Sequence, residues 1–249
     1  MKLRKKMVAG NWKMNGSVEL VNQMANAVKA AELDNVDVVV FPPFPLLSNA
    51  INTGLNVGSQ TVSHEEAGAF TGEVDASLVY ELGCKYTLVG HSERRSLYGE
   101  SDSLIAKKFA RAQSSQLIPI LCVGETEQER EQDLTESVIS KQLDAVIDDL
   151  GVVSLDKSVI AYEPVWAIGT GKTATPEQAQ QVHQFIRTKI AALDADVAQS
   201  LIILYGGSVN ESSSELLFAQ PDIDGGLVGG ASLKPDSFVN ICQSAQGNV

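Results

Sequence analysis

The chain has 249 residues, and 44% hydrophobic content is ample for one large α/β domain or two smaller ones. Its formal charge of −12 leaves no basic stripe for nucleic acid, and no stretch is apolar and long enough to span a membrane. The tip MKLRKK lacks the apolar run of a signal peptide, and Cys84, Cys122 and Cys242 are too scattered for a disulfide or metal framework, so a soluble cytoplasmic protein is expected.

In chain order, a first strand over residues 7–9 runs into GNWKMNG, and Ser17 caps a helix to about residue 32. A second strand over 36–41 is closed by Pro42-Pro43; a short helical piece over 46–52 and a third strand over 55–59 follow. Residues 60–75 form an unusually long connection, a length that in a compact domain usually serves a function. Next come a helix over 76–81, a strand over 86–89 that delivers GHSERR, and a helix over 102–113. A strand over 118–123 precedes one charged helical region from 128 to 150. The short apolar run 159–162 reads as a buried parallel strand ending at Glu163. Thr175-Pro176-Glu177 supplies an N-cap, a proline at the first helical position and an acidic first turn for a helix to 193. The chain closes with a strand over 201–205, the turn GGSV, a helix over 213–219, the strand-like GLVGG and a helix over 236–245.

Eight short apolar strands alternating with helices, without a linker, predict a closed α/β barrel of the (β/α)8 type, a single domain over residues 1–249, in preference to an open doubly wound sheet. In such a barrel the active site forms at the carboxyl ends of the strands. Asn11 and Lys13 follow strand one, His91 strand four, Glu163 strand six, Ser208 strand seven, and Gly229 and Gly230 strand eight, so residues remote in sequence converge on one mouth. Read alone, Lys13 beside Trp12 is a solvated lysine, His91 a structural or helix-cap histidine, and each glycine pair a tight turn. Two glycine turns after the last two strands nevertheless match the place where these barrels bind phosphate through backbone N–H groups. Residues 164–174 begin at the rigid Pro164, pass bulky Val165 and Trp166, and reach the flexible Gly169 and Gly171, the make-up of a lid over a ligand. His64 and His183 read as surface or helix residues, and Cys122 as structural.

The segments GNWKMNG, VGHSERR, AYEPVWAIGTGKTATP, YGGSV and GGLVGGASLKP, in this order, resemble the signature segments of the triosephosphate isomerase family along essentially the whole chain. The resemblance implies a TIM barrel that interconverts dihydroxyacetone phosphate and D-glyceraldehyde 3-phosphate, in glycolysis and gluconeogenesis, through an enediolate. It implies that Glu163 is the base, with basicity raised by desolvation under the closed lid 164–174, and that His91 is a neutral electrophile at a helix N-terminus. Asn11 and Lys13 would stabilise the enediolate, and Gly169, Ser208, Gly229 and Gly230 would hold the phosphate. No metal or organic cofactor is implied. GAFTGE within residues 60–75 resembles the family's interdigitating loop, which implies a homodimer with Phe70, Thr71, Glu73 and Arg94 at the contact. An aldolase or lyase barrel would want a Schiff-base lysine or metal cluster deeper in the barrel, and a non-catalytic sugar-phosphate binder would have lost Glu163, His91 or Lys13.

Overall fold

The computed structural model describes residues 4–169 and 172–247. The first three residues of the basic tip, Thr170 and Gly171 of the loop 164–174, and residues 248–249 lie outside the described residues.

Eight strands, β1 (Lys6–Asn11), β2 (Val36–Phe41), β3 (Gly58–Ser59), β4 (Tyr86–Val89), β5 (Ile118–Val123), β6 (Val159–Tyr162), β7 (Ile202–Tyr205) and β8 (Gly225–Val228), run parallel in the order β2-β1-β8-β7-β6-β5-β4-β3. The ring closes between its two end strands by a single bridge, Val40 with Val57, and by the Val40 N–H donating to Asn56 O at 3.0 Å. Strand residues alternate between two apolar layers, as the two-residue period of a strand requires. Met7, Ala9, Val39, Phe41, Ile120, Cys122 and Ala161 pack together inside the barrel, while Val8, Val40, Leu121, Ile160 and Tyr162 face the helical shell. Each fully buried aliphatic or Phe side chain in these layers contributes roughly 1.5–3 kcal/mol.

The helices are α1 (Val18–Ala30), α2 (Leu47–Asn52), α3 (Ala76–Leu82), α4 (Ser92–Tyr98), α5 (Asp102–Ser114), α6 (Glu127–Glu131), α7 (Thr135–Leu150), α8 (Pro176–Ala191), α9 (Ala195–Ser200), α10 (Glu211–Phe218) and α11 (Pro235–Gln246). Ser17 caps α1 by accepting from the Leu20 N–H at 3.1 Å, and Thr175 with Gln178 forms a reciprocal capping box ahead of Pro176 at the start of α8. These caps fix where the helices leave the mouth of the barrel.

Three sequence expectations need correction. The charged region 128–150 is two helices, because α6 ends in its own capped turn and Asp133 adopts φ 56, which reverses the chain before α7. The third strand shrinks from 55–59 to Gly58–Ser59, with Val57 outside it, bridged to Val40 and accepting the Lys85 N–H at 3.1 Å. His183 lies on α8 but not at the surface. It is fully buried against the rings of Tyr162 and Tyr205, and burial pushes its pKa down to about 3.

Candidate active site

A cleft of about 690 Å³ opens at the carboxyl ends of the strands, and Asn11, Lys13, His91, Glu163, Gly169, Ser208, Gly229 and Gly230 all line it. Every residue the sequence singled out for catalysis or phosphate is therefore brought to one mouth. Phe70, Thr71, Glu73 and Arg94 are not among the lining residues.

Asn11 is the last residue of β1, and its Oδ1 accepts the Lys13 N–H at 2.9 Å, which turns the chain sharply at the rim. Lys13 takes φ 52, a conformation sparsely populated by residues other than glycine, and its Nζ donates to Glu93 Oε1 at 2.6 Å. One carboxylate uses only part of the ammonium's donor capacity, and the remainder is available to the cleft that Lys13 lines.

His91 is the N-cap of α4, and its ring takes the place of the usual capping oxygen: Nδ1 accepts the Glu93 N–H at 3.2 Å. That bond leaves Nδ1 without a proton to hold, so the ring is neutral and donates through Nε2 to Glu163 Oε1 at 3.0 Å. The other Glu163 oxygen, Oε2, accepts the Ser92 N–H at 3.0 Å. Burial disfavours a charged imidazole, but the Glu163 carboxylate against it raises its proton affinity above the ordinary histidine value. For Glu163 burial is the largest influence and raises the pKa. His91, the Ser92 N–H and Lys13 outweigh it and hold the carboxyl below the usual range. In this arrangement desolvation therefore does not make Glu163 a strong base. It is a stored carboxylate whose basicity rises only when it leaves these donors. Gly206 gives it room, since a Cβ there would stand 2.8 Å from Glu163 Cγ.

On the opposite wall the Ser208 hydroxyl donates to Ala167 O at 2.6 Å, tying the turn after β7 to the loop that follows Glu163. Gly229 and Gly230 enter a short 3₁₀ turn, Gly230–Leu233, and a Cβ on Gly230 would meet nothing within 4 Å, so the backbone there lies open to a ligand.

Sequence reasoning missed three supporting side chains. Glu125 is fully buried and accepts from Tyr162 OH at 3.1 Å, Trp166 Nε1 at 2.9 Å and Arg130 Nη1 at 3.2 Å, so it anchors the start of the loop 164–174. Arg130 also stacks over the Trp166 ring at 4.6 Å. Glu93 holds the Lys13 ammonium at 2.6 Å, and Gln60 donates to Lys13 O at 2.7 Å. A carboxylate two residues beyond β5 was the one signal for Glu125. Among the described residues no group of three or more His, Cys, Asp or Glu is arranged to hold a metal ion, and no helix is long and apolar enough to cross a membrane.

A sequence model of the family described as Triosephosphate isomerase matches residues 6–245. Relatives named triosephosphate isomerase include those of Pseudoalteromonas translucida, 66% identical over the full length of both chains, and Alcanivorax borkumensis, 55% identical over 98% of this chain and 99% of the relative. That of Thiobacillus denitrificans is 57% identical over 98% of this chain and 99% of the relative.

Proposed function

The chain belongs to the triosephosphate isomerase family, and from that premise we propose how its own residues carry the reaction. The enzyme interconverts dihydroxyacetone phosphate and D-glyceraldehyde 3-phosphate. The observation that carries the assignment of roles is Glu163 Oε1 at 3.0 Å from His91 Nε2, in a cleft lined also by Asn11, Lys13, Ser208, Gly229 and Gly230.

The phosphate sits against the open backbone of Gly229 and Gly230 and the turn at Ser208, with Gly169 facing it from the lid. Phosphate in place draws the loop 164–174 across the mouth, and Glu163 leaves His91 and the Ser92 N–H for the substrate carbon. Two things follow from that one movement. The carboxylate loses the donors that hold its pKa down, in a site from which water is excluded, and so becomes the stronger base. The His91 Nε2–H is released to the substrate carbonyl. Glu163 then removes a proton from C1 of dihydroxyacetone phosphate, and the C2 oxygen gains negative charge opposite His91 Nε2–H and the Lys13 ammonium. Asn11 keeps its Oδ1 on the Lys13 N–H and turns its amide N–H₂ to the same oxygen. The His91 Nε2–H protonates the C2 oxygen and the bared Nε2 takes the proton of the C1 hydroxyl, and return of a proton from Glu163 to C2 leaves the C1 carbonyl of the aldose with His91 neutral again.

The assembly we propose is a homodimer in the cytoplasm, with residues 1–249 as one domain. Phe70 on the long loop is half-exposed, and Met14, Leu97 and Tyr98 stand exposed on the connections after β1 and β4, all on the half of the ring formed by β1 to β4. This apolar exposure calls for a partner surface, with Thr71 and Glu73 reaching across and Arg94, stacked on Tyr98 at 4.9 Å, receiving Glu73. Three free buried thiols suit a reducing compartment.

The test is conversion of glyceraldehyde 3-phosphate in D2O. Dihydroxyacetone phosphate carrying deuterium at C1 is expected, as is a fall of about 100-fold or more for Glu163→Gln. Product free of deuterium contradicts a carboxyl that exchanges its proton with solvent before returning it, and an undiminished rate in the variant removes Glu163 from the transfer.

A further inference from the structure

We propose that Gln60 is a positioning residue that holds Lys13 in its working conformation. The proposal rests on the reading that the Lys13 ammonium stabilises the enediolate. At φ 52 the Lys13 backbone needs both of its polar groups held. Its N–H is held by Asn11 Oδ1 at 2.9 Å, and its carbonyl accepts from Gln60 Nε2 at 2.7 Å. The same amide nitrogen gives its second hydrogen to Phe41 O at 2.9 Å, an oxygen that also accepts the Trp12 N–H at 3.1 Å. Facing two carbonyls, the side-chain amide must present its nitrogen, since its oxygen would repel both.

The place of Gln60 in the fold explains why a side chain is used. It follows the two-residue β3, at the seam where β2 and β3 meet through one bridge at Val40 and Val57. The ladder stops short of the mouth, so nothing in the sheet reaches the rim at this point. Gln60 crosses the seam and joins the end of β2 to the turn after β1. Closing the barrel rim and supporting the Lys13 backbone are thus one interaction. Gln60 does not line the cleft, so its effect reaches substrate only through Lys13.

The experiment is a kinetic double-mutant cycle with glyceraldehyde 3-phosphate on the wild type, Gln60→Met, Lys13→Ala and the double variant. Gln60→Met keeps side-chain length and removes both donors. Because small misplacements of a charged group carry large rate costs, kcat/KM is expected to fall about 10-fold in Gln60→Met but less than about 2-fold when Gln60→Met is added to Lys13→Ala. A similar loss in both backgrounds, or none in the wild-type background, overturns the proposal. Full activity in Lys13→Ala overturns the Lys13 assignment and this proposal with it, whereas collapse in Lys13→Ala beside an unaffected Gln60→Met overturns this proposal alone. Should Gln60→Met fail to fold, Gln60→Glu takes its place. Its carboxyl can donate only when protonated, so its activity relative to wild type is expected to rise as pH falls, and a ratio flat in pH overturns the proposal.

Discussion

Two hollows of similar size open at opposite ends of the barrel, about 690 Å³ at the carboxyl ends of the strands and about 740 Å³ at the amino ends. Both are lined by basic and acidic groups, but the state of those groups differs. At the amino end Arg187 donates to Asp222 at 2.7 Å, to Asp224 at 2.8 Å and to the carbonyls of Ala198 and Leu201 at 2.6 and 3.0 Å. Arg4 completes Asp224 at 2.7 Å, and the Lys6 ammonium rests on the carbonyls of Phe218 and Ile223, both at 2.7 Å. Every charge lining that hollow is met from within the chain. At the carboxyl end Lys13 has one carboxylate, Glu163 is held by the His91 ring and the Ser92 N–H, and the backbone at Gly230 lies open. Saturated charges fix a shape, whereas partly satisfied ones beside open space can meet a substrate.

Substitutions at either end of the barrel should separate stability from activity. Arg187→Met should cost about 2–3 kcal/mol of stability, because part-buried Asp222 loses its counterion and buried Asp224 keeps only Arg4. Turnover per folded molecule should stay within about 2-fold; denaturant titration at fixed protein concentration, with a parallel assay, checks both. Lys13→Gly should do the reverse. We expect kcat/KM to fall by roughly 10²–10³, about 3–4 kcal/mol, through loss of the ammonium, with stability no lower because glycine accepts φ 52 without strain. Loss of stability alongside activity would show that the mouth is as structural as the base.

A smaller effect comes from His183, buried neutral in the shell. Its folded pKa of about 3 lies below the unfolded value near 6.5, so between those pH values the unfolded chain binds the extra proton. The stability it contributes is present above about pH 6.5 and is lost as pH falls toward 3, a loss of about 2 kcal/mol by pH 5. Unfolding free energies at pH 7 and pH 5 should differ by about 2 kcal/mol less in His183→Gln; an unchanged difference contradicts the assignment. The smallest effect is spectroscopic. Trp12 is fully buried, so inorganic phosphate should alter mainly the emission of Trp166 as its indole leaves Glu125 and Arg130, and Trp166→Phe should abolish the change.

How much of this was legible in the sequence depended on whether the signal was local. The strands at 36–41, 86–89, 118–123 and 159–162 are apolar and largely β-branched, and they lie where the pattern places them to the residue. The break between α6 and α7 was hidden, because Asp133 takes its left-handed turn with neither glycine nor proline to announce it. The third strand looked longer than it is, since its apolar pattern continues where pairing stops at the seam. In the site, Glu163, His91 and Lys13 were legible because strand ends in such a barrel must converge. Glu125 and Gln60 were not, for a buried carboxylate under Trp166 and an amide spanning a seam are visible only once strands far apart in sequence are neighbours. The storage of Glu163 on the Ser92 N–H was likewise out of reach, because it depends on a side-chain orientation and not on a residue type.

Glu163 as the group that moves the proton is tested most directly by a coupled assay of Glu163→Asp beside the wild type, with phosphate affinity and thermal unfolding determined on the same samples. Retracting the carboxylate by one methylene should cut turnover about 100-fold or more while phosphate binding and folding stay near the wild type. Turnover equal to the wild type in a folded, phosphate-binding variant would contradict it.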